Sequence, residues 1–403
     1  MDSLAEIEDL VAHEGRAPGT DAERRAARHL AGRLRELGRE ASTEATSVHP
    51  RYALTHLIHV LTALVGGLLA AGDSNGAKLA GTLVVLAAAV STFGDLTGSF
   101  HLARRLTGRR ASQNVVSREE LDKPGTLVLV AHYDAAHSGA VFGDRAMRRR
   151  ARIGRGPFEP LFWSIMAVLL CCALRLVGVE GTALNAVQFI PTVVLIVAVP
   201  LLADIVLSGV VPGAGDNGSG VATVLRLADR YGERLDSFDV WVLLTGAQES
   251  MQLGMAAFLK RHRKELDRSS TVFVCVDDVG RGNVRYATKE GYILAYPFHP
   301  DLVALCNQLR EEDEEDGYYG VQPIVSRIAT DAHRARVAGY PAIAIGCTNE
   351  QGYPPHYHQH TDTVETLEPD SLQRAYEFCS ELVELIDEKI GPQIEAPAEH
   401  ASR

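Results

Sequence analysis

The sequence predicts an α/β fold: a mixed, mainly parallel sheet with helices on both faces, interrupted by four transmembrane helices arranged as two hairpins. Three observations lead there. Short apolar runs alternate with stretches of helical period, as in sheets covered on both faces. Four much longer apolar segments stand apart from them and pair through short loops. Histidines and carboxylates collect where the short runs end, and in such sheets ligands bind at the carboxyl ends of strands.

With 403 residues the chain holds two or three average domains, or one large domain with insertions. Its net charge of -11 argues against nucleic acid as a partner, because phosphate binding needs a basic face. The six cysteines show no CxxC pair and no disulfide-like spacing, which fits a reduced, cytosol-facing protein. The first thirty-odd residues are charged rather than apolar, so no signal peptide is expected.

From Ser3 to Gly38 the apolar positions recur at helical spacing, interrupted by a Gly/Pro turn over Gly15 to Thr20. Two amphipathic helices follow, the second ended by Gly38. The four long segments run from Leu54 to Ala71, Leu79 to Leu96, Leu161 to Val179 and Ala186 to Val211, each long enough to cross a bilayer. Because hairpins leave and return on one side, the remainder of the chain lies on that side. Its flanks are basic (Arg51, Arg104, Arg105, Arg109 and Arg110, then Arg145, Arg148, Arg149, Arg150, Arg152 and Arg155), whereas the connecting loops hold only Lys78. The positive-inside rule then puts a multi-pass protein in the cell membrane with its large soluble part in the cytoplasm. His56, His59, Arg175 and Asp204, near the segment ends, read as snorkelling to the interface. Residues 1–52, 98–156 and 212–391 accordingly build the α/β domain, 53–97 and 157–211 the hairpins, and 392–403 a disordered tail.

Strands are expected over Thr126–Asp134, Phe238–Glu249, Ser270–Gly280 and Tyr340–Cys347, with helices over Gly220–Leu235, after Glu249 to about Arg263, and over Leu372–Ile390. His132 and Asp134 follow one strand, Gln248 and Glu249 end another, and Asp277 and Asp278 end a third. Asp216 opens the helix after the fourth apolar segment, and His358 lies in the late loop PPHYHQHTDT. Imidazole and carboxylate ligands suit zinc, with cobalt or manganese as alternatives. A metal pair needs one bridging carboxylate and terminal ligands for each ion, and His132, Asp216, Glu249, Asp277 and His358 meet that count. Singly, each has a blander reading: a strand-end hydrogen-bonded pair, a helix N-cap, a solvated loop, a surface histidine cluster. Together at the loop ends of one sheet they point to a metal site.

The motifs AHYD, GAGDNGSGVA, GAQESMQLG, VDDVG and HQHTDT, in that order, resemble those of the M28 family of zinc peptidases, which includes bacterial aminopeptidases and glutaminyl cyclases. The likeness covers about Ala5–Glu44 and Ala111–Ile390 apart from the hydrophobic insertions. It implies a zinc aminopeptidase-like fold, two zinc ions, and hydrolysis of peptide or amide bonds by metal-activated water. By resemblance His132 and Asp277 are terminal ligands of one zinc, Glu249 and His358 of the other, and Asp216 the bridge. Asp134 orients the His132 ring. His358 is chosen because it precedes Asp362 by four residues; His356 and His360 are the fallbacks.

One departure matters. The family has two adjacent glutamates where this chain has Gln248–Glu249, and the first is the general base. A glutamine amide takes no proton from water near neutral pH, and such help is worth about 10²–10⁴-fold. A slow hydrolase, one using another base, and an inactive metal-binding membrane scaffold or peptide-binding pseudo-peptidase all follow from that. The inserted hairpins place the site near the membrane surface, so the expected substrate is a membrane-proximal peptide or lipid-linked amide beside the lipid bilayer. Gly213, Gly215 and Gly218 satisfy GxGxxG, but they follow an apolar segment outside any βαβ unit, which removes the dinucleotide reading.

Overall fold

The computed structural model describes residues 1–154, 156–313 and 317–393; Arg155 of the basic flank and nearly all of the expected tail lie outside them. The strands are β1 (Ala41–Val48), β2 (Arg110–Ser117), β3 (Gly125–His132), β4 (Phe238–Thr245), β5 (Thr271–Val276), β6 (Asn283–Glu290), β7 (Tyr296–Pro297), β8 (Gln322–Ser326) and β9 (Ala342–Thr348). They form one mixed sheet in the order β1-β2-β4-β3-β5-β9-β6-β7, with β8 beside β6. Its centre is parallel: β4, β3, β5 and β9 run together, and β1 and β2 add antiparallel pairs at one edge. Central runs such as FDVWVLLT and TVFVCV are buried at every position, because helices cover both faces and leave no solvent side to alternate with.

The helices are α1 (Ser3–Val11), α2 (Asp21–Glu36), α3 (Tyr52–Ala70), α4 (Asn75–Thr97), α5 (Asp144–Ile153), α6 (Glu159–Leu176), α7 (Thr182–Leu207), α8 (Gly220–Tyr231), α9 (Leu253–His262), α10 (Pro300–Asp313), α11 (Asp331–Val337) and α12 (Pro369–Leu385). Thr20 caps α2 by accepting from the Glu23 amide, and Gly38 follows its end at positive φ. Four helices (α3, α4, α6 and α7) are long and apolar enough to cross a membrane. They overlap the four expected segments, but α4 and α7 each start four residues earlier, α6 stops three residues earlier at Leu176, and α7 stops at Leu207, since the chain turns extended at Ser208.

These four pack on one another through Val60, Ala63, Val85, Ala88, Ile165, Val168, Leu195 and Leu202. An ion pair between Lys78 and Glu180 joins the two hairpin tips, so both tips lie at one end of the bundle. A side chain on Gly81 would sit 2.3 Å from the Ala70 nitrogen, which is why α3 and α4 approach so closely there. Outward, the bundle exposes Leu68, Leu83, Leu170, Val187, Ile190 and Ile196, an apolar surface too broad for an ordinary water-facing helix pair.

The polar residues of the segments do not snorkel. His56 and His59 are buried, His59 bonding Ser91 Oγ at 2.8 Å and His56 facing Asp95 at 3.5 Å. Arg175 bonds Gln188 and Asn185, and Asp204 accepts from the Ala140 amide at 2.7 Å. These groups thus face neighbours inside the protein, although His56 Nε2 makes no hydrogen bond among the described residues. Buried Arg104 pairs with Asp95 of α4 and donates at 3.0 Å to the Ser250 carbonyl, tying the first hairpin to the turn after β4.

Gly81→Ala should cost about 1–3 kcal/mol by overpacking, read as a lowered thermal unfolding midpoint of the purified protein in detergent. Gly76→Ala, where a methyl group meets nothing within 4 Å, should leave the midpoint unchanged.

Candidate metal centre

Parallel pairing of β3 with both β4 and β5 brings three strand ends to one edge. His132 is the last residue of β3, Asp277 follows β5, and Gln248–Glu249 sit in the turn after β4. Asp216 enters from the segment linking α7 to α8, where the Asp216–Asn217 peptide is cis, and His358 from the loop after β9.

His132 Nε2 lies 3.1 Å from Asp216 Oδ1 and 3.4 Å from Asp277 Oδ1. His358 Nε2 lies 3.3 Å from Asp216 Oδ2 and 3.3 Å from Glu249 Oε2. Asp216 therefore stands between two imidazole–carboxylate pairs, one oxygen facing each. Oδ2 of this buried aspartate has no hydrogen-bond partner among the described residues. Ligand atoms at the corners of a tetrahedron around zinc, each about 2.0–2.1 Å from it, are about 3.3–3.4 Å apart. The four separations match that spacing better than the shorter contact of a charged hydrogen bond, and ligand atoms of His132, Asp216 and Glu249 lie close enough together to share one ion, so the donor set fits zinc beside Asp216.

Burial disfavours a charged His358, but Glu249 and Asp216 outweigh it and raise its pKa to about 10. His132 is likewise raised, against its burial, by Asp277, Asp134 and Asp216. Burial lifts Glu249, with Asp216 adding repulsion. The cluster thus calls for positive charge at its centre.

His358 is held by aromatic contacts: the Tyr357 ring stacks on it at 3.9 Å and Phe142 meets it at 4.4 Å. His356 bonds Thr361 instead, and His360 lies beside Gly209. Six of the eight non-glycine residues at positive φ among the described residues flank the cluster: Ala247, Met251, Gln252, Asp278, His356 and His358. Such conformations cost about 1–3 kcal/mol each and persist where surrounding structure fixes them.

Asp134 faces the His132 ring and has a second part as well. Its carboxylate accepts the Gln248 and Glu249 amides at 3.1 and 3.0 Å, while His132 Nδ1 lies nearer the Asp134 carbonyl (3.2 Å) than the carboxylate (3.6 Å). The side chain chiefly fixes the turn carrying Glu249.

Several supporting residues escape a reading by motif. Asp362 accepts the Gly215 and Asp216 amides at 2.7 and 3.0 Å and pairs with buried Arg281 at 2.9 Å. Asn217 bridges the Val276 carbonyl and the Asp278 amide. Buried Arg16 donates to the Tyr133, Pro212 and Gly213 carbonyls, clamping the His132 strand end to the Asp216 segment. Asp362 was within reach through its fixed spacing from His358; Arg16 and Arg281 gave no sequence signal.

Asp216, Gln248, Glu249, Asp277 and His358 all line one cavity of about 1040 Å³. Residues 201–383 match the model of peptidase family M28. No curated protein matches the chain. Among solved structures it is similar to a glutaminyl cyclase from Bacteroides thetaiotaomicron bound to N-acetylhistamine (13% identity, TM-score 0.55, 94% of this chain and 96% of that one). A Zn-dependent exopeptidase from Parabacteroides distasonis gives 13%, 0.53, 96% and 97%. A zinc aminopeptidase from Bacillus subtilis gives 15%, 0.54, 94% and 93%. At these identities the likeness is one of fold: a mostly parallel sheet flanked by helices, as in zinc aminopeptidases.

Glu290, also lining the cavity, is 1% exposed, and burial lifts its carboxyl to about 8 despite a Thr330 hydrogen bond. The raised value favours the folded state below about pH 4.5, and that advantage is lost as pH rises through about 8. In metal-free protein, Glu290→Gln should leave stability at pH 5 nearly unchanged and raise it at pH 8–9, measured by denaturant unfolding at each pH.

Proposed function

We propose, from the match of residues 201–383 to the model of peptidase family M28, that the chain is a membrane-bound, zinc-dependent hydrolase of peptide or amide bonds with the reaction centred on Asp216. The observation carrying this reading is the division of the two Asp216 oxygens between the His132–Asp277 and His358–Glu249 pairs. His132 and Asp277 would hold one zinc and His358 and Glu249 the other, with Asp216 available to both. Zinc so held supplies Lewis acidity and lowers the pKa of water to about 7.

The chain's own groups do the rest. Asp134 and Asp362 fix the two backbone segments that present Glu249 and Asp216. Gln248 lines the cavity at the position of the usual base. Its carboxamide donates and accepts hydrogen bonds, so it orients a water or substrate amide, but it removes no proton. The proposed enzyme therefore runs without one general base, slower by about 10²–10⁴-fold than a glutamate-bearing counterpart. The apolar exterior of α3, α4, α6 and α7 supports membrane insertion, and the basic flanks support a cytoplasmic site.

Gln248 also supports a second reading, a zinc-stabilised module that binds peptides without cleaving them. Hydrolysis of a panel of aminoacyl and N-acyl amides by the parent and by Gln248→Glu separates the two. The hydrolase reading expects slow, chelator-sensitive turnover by the parent, increased about 10²–10⁴-fold in Gln248→Glu. No turnover by either protein, with peptide binding intact, establishes the binding module instead.

A further inference from the structure

The cavity at Asp216 does not end in the soluble domain. It continues along α7, where Val193, Val197, Leu201 and Ile205 line it at four-residue spacing, one stripe of a single helix face. That stripe spans about 18 Å at 1.5 Å per residue. Val193 is 38% and Val197 54% exposed, so the apolar arm opens sideways at the level of the bundle rather than closing into a core. Four arginines line the same cavity: Arg327 pairs with Glu159 at 3.6 Å, whereas Arg149, Arg150 and Arg285 pair with no carboxylate among the described residues, Arg150 donating to the Val141 carbonyl and Arg285 to the Val284 and Gly320 carbonyls. The arm is far longer than an amino-acid side chain requires, and the three arginines without a carboxylate partner leave positive charge beside it that suits an anion.

We propose that the substrate is a long-chain N-acyl amino acid, its acyl chain along α7, its amide at the Asp216 cluster and its carboxylate on the arginines. This rests on the hydrolase reading above and names its substrate class. Water adds its oxygen to the acyl carbonyl carbon, the C–N bond breaks, and the departing nitrogen takes the proton. A fatty carboxylate and a free amino acid result. Reaching the arm from the side admits a substrate dissolved in the bilayer without passage through water.

The test uses the full chain in lipid nanodiscs with N-acetyl-, N-octanoyl- and N-dodecanoyl-alanine and with N-dodecanoyl-alaninamide, reading kcat/KM and, by titration calorimetry, equilibrium binding. Expected is a rise in kcat/KM of about 10²-fold or more from acetyl to dodecanoyl, since each buried methylene is worth severalfold. Val197→Trp should remove at least about tenfold of the dodecanoyl value. Ile190→Trp, on the outward face and outside the cavity, should leave it unchanged. Arg150→Gln should weaken the acid but not the amide. Chain-length-independent turnover, or acid and amide handled alike, overturns the proposal while leaving the hydrolase reading standing. Tight dodecanoyl-alanine binding weakened by Val197→Trp, with no turnover of any amide, sinks the hydrolase reading and keeps the acyl site. Neither binding nor turnover of the long-chain compounds overturns the proposal outright.

Discussion

Mutual repulsion among buried carboxylates is the constraint on which the rest of this structure depends. Asp216, Glu249 and Asp277 converge at one edge of the sheet, with Asp278 and Glu290 close behind. Two like charges 4 Å apart cost about 4 kcal/mol at an effective dielectric of 20, and both oxygens of buried Asp278 lack partners among the described residues. Such a cluster holds together only if positive charge enters it or protons neutralise it. Arg16 and Arg281 supply part of that charge from behind, where they also lock the backbone in place. At the centre only the two imidazoles remain, and their raised pKa values register the deficit that the proposed zinc ions would fill.

The parallel centre of the fold was legible because its strands are buried on both faces and read as unbroken apolar runs. The chemistry-bearing residues at their ends followed from strand order and motif spacing. The edges were not legible. β1, ASTEATSV, is polar and half exposed, held by pairing to β2 rather than by its own pattern. β8 is short and largely exposed beside β6. The second part played by Asp134 was not legible for a different reason: its spacing from His132 suggests a ring partner, and only the fold brings the two amides of the turn after β4 to its carboxylate. His56 and His59 turn inward because Asp95, Arg104 and Ser91 wait for them, a network scattered over more than thirty residues of sequence.

The two insertions do more than add apolar helices. The first is bonded through Asp95 and Arg104 to the turn that carries Gln248 and Glu249. The second delivers Asp216 directly from the end of α7 and contributes one wall of the cavity. In a sheet of this kind the loops beyond the strand ends choose the substrate while the strands hold the chemistry. Here those loops have become membrane-length hairpins, which couples the reacting edge of the sheet to an apolar surface.

Anomalous X-ray scattering recorded at the zinc absorption edge, from crystals of the full chain grown with the metal, tests the central claim most directly. Two peaks are expected, one between His132 and Asp277 and the other between His358 and Glu249, with Asp216 touching both. Crystals showing no anomalous density beside Asp216, at saturating zinc, would contradict it.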